Sequence, residues 1–185
     1  MTDTAPPLLT TERLILRTFS PDDFEVYAAL MADPRLMEYV GDGKPQTRGQ
    51  AWANLALLMG HWHMRGYGLW AVVLRDSGRL IGRCGLWHPE GWPGVEIGWM
   101  LAREYWGQGY ATEAASAVLA YAQQQRLAES LVSLIHPSNA RSIAVAQRLG
   151  GRFERTLPLR GQHVSLYRIP LNPKKMPRSE GGAKR

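Results

Sequence analysis

The chain has 185 residues, of which 45% are hydrophobic and 21% charged. This length suits one globular domain that buries about 70% of its extended-chain surface, and it is short for two full domains. The formal net charge is +6, but residues 170–185 hold most of the excess, which leaves a body of only about +2. This balance argues against nucleic acid as a partner, because phosphate backbones require Lys and Arg clustered on a folded face.

A single cysteine, Cys84, excludes an internal disulfide. Met1 is followed by polar residues and not by a charged and then apolar leader, so secretion is not indicated and the cytoplasm is the predicted location. The most apolar stretch, residues 114–122, is far shorter than the roughly 20 apolar residues that span a bilayer. No membrane segment is predicted.

The first third of the chain predicts one strand and two helices. Residues 1–9 read as an extended lead, and the apolar run 13–17 favours a strand. Ser20 and Pro21 are typical of a helix start, which predicts a helix to about Ala32. Thr47 and Gln50 have the spacing of a capping box and begin a second helix. The residues expected to face inward are Phe24, Tyr27 and Met31 in the first helix and Trp52, Leu55, Met59 and Trp62 in the second.

The middle of the chain changes to the two-residue period of strands. Residues 69–74 and 80–87 predict a hairpin about a polar turn, and residues 95–101 predict the next strand. A helix is predicted from Gly109 to Gln125. Its continuous apolar face consists of Ala111, Ala114, Ala115, Val118, Leu119 and Ala122.

The last third predicts a strand at 131–135, a helix that begins at Ser138 or Asn139 and ends at Leu149, and two closing strands near 152–157 and 164–169. The sequence shows no internal repeat and no domain boundary. It therefore predicts a single domain over residues 10–170, followed by a basic flexible tail at 171–185.

The window of residues 95–114 carries the chemistry. A strand leads through a glycine-containing turn into a helix, an arrangement that directs backbone amides and the helix dipole at a phosphate. Gly-x-Gly by itself is equally compatible with a steric role in a turn. A Rossmann fingerprint fits poorly, because Thr112 stands where Gly or Ala is required, and the Gly-Lys-Ser/Thr of a Walker loop is missing.

Four segments in the same order resemble the GNAT acetyltransferase superfamily, and within it the RimJ/RimL type of ribosomal-protein N-acetyltransferase. They are residues 11–17 as the opening strand, 96–101 as the family's fourth strand, 106–114 as the pyrophosphate loop, and 139–150 as the helix beside the pantetheine arm. The resemblance implies an α/β (α+β) single-domain fold, with a mixed, strongly twisted sheet of about six to seven strands flanked by helices.

The resemblance further implies acetyl-CoA as the donor, an amine as the acceptor, and direct transfer in a ternary complex without metal. Main-chain groups near Met100 and Leu101 are expected to pair with the pantetheine, Asn139 to bind the arm and Ser142 to lie near the sulfur. The full set of expected donor-binding residues is Met100, Leu101, Trp106, Gly107, Gln108, Gly109, Tyr110, Ala111, Thr112, Asn139 and Ser142.

Glu96 is the candidate base, because a protonated amine cannot attack and a lysine-like ammonium has a pKa of about 10.4. The alternative is a strand glutamate that faces solvent or an ion pair. Ser142 is the second candidate catalytic residue, because Ala146 stands where many relatives have a tyrosine that protonates the thiolate. Two further departures are Trp106 at the start of the pyrophosphate loop and Gly151, where Phe is frequent.

Other clusters are interpreted as structural. His61 and His63 point to opposite sides of a helix, and with His88 they complete no zinc set, so no metal is predicted. Cys84 lies mid-strand as a buried small side chain. Five tryptophans (Trp52, Trp62, Trp87, Trp92 and Trp99) are either core residues or walls of an acceptor pocket that holds an ammonium group.

The acceptor stays open at this point. The resemblance favours a peptide or protein N-terminal α-amine, but polyamines, amino acids and aminoglycosides are alternatives, because one donor site serves many acceptors. A non-catalytic acetyl-CoA-binding module and a nucleic-acid-binding protein that uses the basic tail are rivals from other classes. The edges of such a sheet are compatible with a homodimer.

Overall fold

The computed structural model describes residues 6–159 and 161–171 of the chain, so most of the predicted tail lies outside the described residues. Eight strands form one sheet, and helices cover both of its faces. The strands are β1 (Leu9–Thr10), β2 (Leu14–Arg17), β3 (Leu69–Leu74), β4 (Leu80–Trp87), β5 (Glu96–Leu101), β6 (Ser130–Ile135), β7 (Arg152–Leu159) and β8 (Gln162–Pro170). The helices are α1 (Phe24–Met31), α2 (Pro34–Met37), α3 (Arg48–Arg65), α4 (Tyr110–Gln124) and α5 (Ala140–Arg148), with short 3-10 turns before α1 and α4.

The strand order is β1-β2-β3-β4-β5-β6-β8-β7, and only β5 and β6 are parallel neighbours. Their pairing is confined to Glu96 opposite Val132. Beyond that pair the two strands separate, which opens a gap in the middle of the sheet. The predicted mixed α/β architecture is confirmed, with eight strands in place of six or seven, because the two-residue β1 is too short to show a pattern.

Each face of the sheet has its own core. On one face α4 packs against the sheet, and its predicted apolar stripe is confirmed, with Ala114, Ala115, Val118 and Ala122 all fully buried. On the other face α1, α2 and α3 cover β3 and the start of β4. A ligand in the gap between β5 and β6 would therefore lie between α4 on one face and the layer of α1, α2 and α3 on the other.

The buried face of α3 differs from the prediction. Leu55 and Trp62 are buried as expected, but Trp52 is 62% exposed and Met59 40% exposed. The stripe that faces the sheet runs through Ala51, Leu55, Leu58 and Trp62, at spacings of four, three and four residues. The prediction placed the bulky Trp52 and Met59 on the inward face of α3. The small Ala51 is buried there instead, because close approach of the helix to the sheet favours a small residue.

The start of α3 is confirmed. The Thr47 hydroxyl accepts a hydrogen bond from the Gln50 amide, and the Gln50 side chain accepts one from the Thr47 amide. The predicted first helix divides into a 3-10 turn and α1, whose Tyr27 and Met31 are buried as expected while Phe24 is half-buried.

The short α2 was not predicted. Asp33 caps it by accepting hydrogen bonds from the Arg35 and Leu36 amides. Among the described residues, no helix is long and apolar enough to cross a membrane.

Candidate active site

The gap between β5 and β6 continues into a groove of about 860 Å³, which we call the donor groove. Its walls come from β5, the turn after it, α4, α5 and the segment around α2. Ten of the eleven predicted donor-binding residues line it: Met100, Leu101, Trp106, Gly107, Gly109, Tyr110, Ala111, Thr112, Asn139 and Ser142. These segments are distant in the chain, so the fold brings together what the sequence predicted separately.

The first turn of α4 forms one end of the donor groove. Gly109 is the N-cap residue with φ +85°, Gly107 has φ +74°, and no described side chain caps the helix. The first amides of a helix have no partner within it, so those of Tyr110, Ala111 and Thr112 are donors for a ligand. Left-handed glycines followed by an uncapped helix start could hold an anionic group such as a pyrophosphate.

Arg13 of the β2 approach braces this turn. Its Nη1 donates to the Gln108 carbonyl at 3.0 Å, and its guanidinium lies 4.2 Å from the centre of the Tyr110 ring. The Gln108 side chain donates to the Glu104 carbonyl instead of facing the groove. Gln108, the eleventh predicted residue, is therefore not among the described residues that line the groove.

Glu113 anchors Arg13 in turn. Its carboxylate accepts hydrogen bonds from the Thr11 hydroxyl at 2.6 Å and from the Arg13 Nε at 2.7 Å. Burial alone would raise the pKa of Glu113, but these hydrogen bonds outweigh burial and hold that pKa below its usual value. The opening segment 11–17 and the loop segment 106–114 are thus in direct contact, a pairing that sequence reasoning missed.

Main-chain groups of β5 alternate between its two neighbours. Val95 accepts from the Val132 amide on the β6 side, whereas Ala102 donates to Ile81 on the β4 side. By this alternation the main-chain groups of Trp99 face the gap, and those of Met100 face β4. The pantetheine pairing predicted near Met100 and Leu101 would therefore involve the main-chain groups of Trp99 and Leu101, and Met100 contributes its side chain to the groove.

Trp106 occupies the position where the family pattern often has another residue. Its indole Nε1 donates to the Leu101 carbonyl at 2.7 Å, and the Arg141 guanidinium lies 4.6 Å from the centre of its ring. The Leu101 carbonyl therefore already accepts one hydrogen bond within the protein. Trp106 also ties the end of β5 to α5, across the groove.

Three arginines add positive charge to the donor groove. Arg35, Arg141 and Arg148 line it from α2 and α5. Guanidinium groups bind phosphate through paired hydrogen bonds, so this charge fits the phosphates of the donor. Sequence reasoning missed these side chains, because arginines on a helix surface carry no pattern of their own.

Asn139 and Ser142 lie at the inner end of the groove. The Asn139 Oδ1 accepts a hydrogen bond from the Ser142 amide at 3.2 Å and caps α5, which leaves the Asn139 amide nitrogen as a donor for a ligand. Ala146 is fully buried and packs in a cluster with Ile135 and Tyr167. Within the described chain, Ser142 is the hydroxyl of α5 that lines the groove.

A second cavity of about 270 Å³, the acceptor cavity, opens on the side of the sheet that carries α1 and α3. Glu96 lines this cavity and accepts a hydrogen bond from the Trp92 indole at 2.6 Å. The two cavities share wall residues at the gap: Tyr39, Val40, Trp99, Met100, Asn139 and Ser142. Glu96 and Met100, four residues apart, share one face of β5.

The tryptophans divide between the two interpretations offered by the sequence. Trp87, Trp92 and Trp99 line the acceptor cavity, whereas Trp62 is a core residue and Trp52 is exposed. His61 is buried and stacks on Trp87 with ring centres 4.4 Å apart, and burial lowers the pKa of its imidazole. Cys84 is fully buried, and burial raises the pKa of its thiol.

Comparisons with known proteins agree with this geometry. A family model described as an acetyltransferase (GNAT) domain matches residues 13–152. The Bacillus subtilis protein YkkB is 33% identical over 167 residues, which cover 86% of this chain and 93% of YkkB.

Among solved structures, an acetyltransferase from Agrobacterium tumefaciens has 35% identity and a TM-score of 0.79, covering 89% of this chain and 95% of that one. RimL, a ribosomal L7/L12 α-N-protein acetyltransferase solved with coenzyme A, shares the fold at 17% identity, a TM-score of 0.74, and 89% and 98% coverage. The chain therefore belongs to the GNAT family and is an acetyl-CoA-dependent acetyltransferase.

Proposed function

We propose that the protein transfers the acetyl group of acetyl-CoA to a primary amine by direct attack within a ternary complex. The observation that carries this proposal is the shared wall of the two cavities, which meet at Trp99, Met100 and Ser142. A thioester in the gap and an amine in the acceptor cavity would thus lie on the two sides of the same wall residues. Holding two reactants in this way replaces an encounter in solution by a reaction within one complex.

Glu96 receives the proton of the attacking amine, directly or through a water molecule. It stands at the point where β5 and β6 separate, on the acceptor side of the gap. The hydrogen bond from the Trp92 indole fixes the carboxylate at this end of the cavity. As the C–N bond forms and the C–S bond breaks, the amine proton passes to Glu96 and the thiolate leaves.

Ser142 orients the sulfur of the donor. It lies on the wall common to both cavities, and its amide is held by Asn139. A thiol with a pKa of about 8.5 requires little acid assistance at neutral pH, so a hydroxyl at this position is sufficient for a leaving thiolate. The structure therefore supports a mechanism that dispenses with the tyrosine missing at position 146.

The acceptor amine is an α-amine, either of a peptide or protein N-terminus or of a small molecule. The cavity of 270 Å³ is slightly below the volume of about 300–1,000 Å³ typical of sites for drug-sized ligands. It fits one amino-acid residue, or a metabolite of that size, better than an aminoglycoside. The reaction is proposed for the cytoplasm, and a homodimer stays a prediction.

Calorimetry with acetyl-CoA, followed by thiol release with a panel of amines in the same sample, tests the proposal. We expect micromolar binding of acetyl-CoA and turnover with N-terminal peptides or amino acids. Binding without turnover on any amine would instead favour a non-catalytic acetyl-CoA-binding module. Lack of acetyl-CoA binding would refute the assignment of the donor groove.

A further inference from the structure

The acceptor cavity contains an arginine that the proposed reaction does not use. Arg83 of β4 lines the cavity, and its Nη1 donates to the Tyr27 hydroxyl at 2.9 Å and to the Asn54 Oδ1 at 3.2 Å. Within residues 6–159 and 161–171, no carboxylate forms an ion pair with Arg83. Both of these hydrogen-bond partners are neutral groups, since burial raises the pKa of the Tyr27 phenol and keeps it protonated.

A guanidinium that lines a cavity and hydrogen-bonds only to neutral groups favours the binding of an anion. Tyr27 is fully buried and donates to Asn54 at 2.5 Å, so the three side chains form one rigid network. This network orients one edge of the guanidinium and leaves its other N–H groups for a ligand.

The register between β4 and β5 at the base of the cavity sets the distance between Arg83 and the reacting amine. Gly98 of β5 is paired with Gly85 of β4, and Met100 is paired with Arg83. A Cβ on Gly98 would have only the Glu96 Oε1 within 4 Å, at 3.9 Å, so the space above Gly98 is open. Diagonal neighbours on one face of a sheet are about 7–8 Å apart, which places Arg83 within a few bonds of an amine above Gly98.

The remaining lining carries little charge. Glu96 is the sole carboxylate among the described lining residues, and tryptophans form much of the wall. Gln46 also lines the cavity, and its buried Oε1 has no hydrogen-bond partner among the described residues. One carboxylate opposite one guanidinium does not suit a polyamine or an aminoglycoside, whose several ammonium groups would face Arg83.

The geometry points to an acceptor that carries a carboxylate a few bonds from its amine, with Arg83 binding the carboxylate while the amine lies above Gly98 beside Glu96. This inference rests on the proposed acetyl transfer and names the substrate class of that same site. Two kinds of acceptor carry a carboxylate a few bonds from an amine: a free amino acid, or a peptide whose first residue has an acidic side chain.

Matched pairs of acceptors test the inference. Alanine is compared with alaninamide, and the dipeptide Asp-Ala-amide with Asn-Ala-amide, by thiol release with the wild type and with Arg83→Gln, Arg83→Lys and Arg48→Gln. Arg48 is the control, because it forms an exposed ion pair with Glu25. Comparing each pair across the variants cancels the difference in amine basicity between an acid and its amide.

We expect Arg83→Gln to lower the ratio of kcat/KM for the acid to kcat/KM for its amide at least about tenfold, relative to the wild type, in one of the two pairs. Arg83→Lys should lower that ratio less, and Arg48→Gln should leave it unchanged. The pair whose ratio falls identifies the kind of acceptor. Acetyl-CoA affinity, measured in the same samples, reports whether Arg83→Gln is folded.

One result overturns the inference: a ratio of kcat/KM for the acid to kcat/KM for the amide that is the same, in both pairs, in the wild type and in a folded Arg83→Gln. Calorimetry of the same four acceptors, with the protein saturated with coenzyme A, separates this failure from that of the proposed function. Selective binding of the acids without thiol release would support the role of Arg83 and refute acetyl transfer. Thiol release without selective binding would refute the role of Arg83 alone.

Discussion

The donor groove and the acceptor cavity share a wall, but different parts of the polypeptide form them. The anion site of the donor groove consists largely of main-chain amides at the start of α4, which left-handed glycines expose. Side chains from β4, β5 and α3 give the acceptor cavity its chemical character. A site formed by main-chain amides tolerates many substitutions, whereas a site formed by side chains changes its chemistry when one of them is replaced. We therefore expect some single substitutions to weaken acetyl-CoA binding alone, and others to slow turnover of the amine while acetyl-CoA binding stays the same.

Glu96→Gln should give the largest separation. We expect kcat/KM for the amine to fall about 100- to 1,000-fold, because a carboxamide cannot take the proton, while the acetyl-CoA Kd stays the same. Steady-state kinetics at neutral pH measures kcat/KM, and calorimetry measures the acetyl-CoA Kd.

Glu90→Gln is the matched control for Glu96→Gln, because Glu90 lies in the loop before β5 and its side chain is fully exposed. A Glu96→Gln enzyme that keeps the wild-type kcat/KM would remove Glu96 from the proton transfer.

Gly109→Ala should act on the donor side alone. The residue has φ +85°, and its Cβ would lie 3.4 Å from Arg13 Nη2. A side chain disfavours this conformation by roughly 1–2 kcal/mol, so the free loop should relax and carry the amides away from the phosphate position. We expect the acetyl-CoA Kd to rise about tenfold, as measured by calorimetry.

The matched control for Gly109→Ala is Gly60→Ala, within α3, where a Cβ meets no atom within 4 Å and alanine favours the helix. Wild-type affinity in Gly109→Ala would show that phosphate binding does not depend on the left-handed turn.

The same comparison explains what the sequence could and could not predict. Gly107, Gly109 and the alanine stripe of α4 are local signals, because a turn and a helix face are set by residues close in the chain. Most residues that line the donor groove could therefore be predicted from the sequence, whereas the direction of the Met100 main chain could not. That direction depends on the register with β4, which a single strand does not encode.

The acceptor cavity was less predictable. Arg83 reads as one polar residue in an apolar strand, and its role depends on Tyr27 and Asn54, which are 56 and 29 residues away. Such contacts arise from topology and not from spacing. Likewise Arg13 and Glu113 each fit a motif, but their contact across 100 residues is visible only in the fold.

Asp23→Asn should weaken the acceptor side through the position of α1. The Asp23 carboxylate, 6% exposed, accepts two hydrogen bonds of 2.7 Å from Arg17 just before the helix that carries Tyr27. Because the Arg17 side chain is 35% exposed, we expect a loss of only about 1 kcal/mol in the free energy of unfolding. The acceptor KM should rise while the acetyl-CoA Kd stays constant.

The pH dependence of Asp23→Asn follows from the pKa of the carboxylate. Burial opposes ionisation, but hydrogen bonds from Arg17 and Ser20 hold the pKa of Asp23 below its usual value. The ion pair therefore stabilises fully above about pH 4, and its contribution is lost as the pH falls through the lower folded value. Denaturant unfolding should show a constant difference from wild type near neutrality that shrinks in acid, and the exposed Asp22→Asn should show none. A difference that grows in acid would contradict this reading.

Arg13→Met should have the smallest effect, because Arg13 only supports the turn before α4, whose main-chain amides form the anion site. Loss of the hydrogen bond to the Gln108 carbonyl and of the contact with Tyr110 should raise the acetyl-CoA Kd about three- to fivefold. Arg48→Met controls for net charge. A long-range charge effect would vanish at high salt, whereas a loosened loop would persist there, so calorimetry at about 0.05 and 0.5 M salt distinguishes them. A loss of 100-fold would mean that Arg13 itself binds the donor, and that the donor groove depends on side chains as much as the acceptor cavity does.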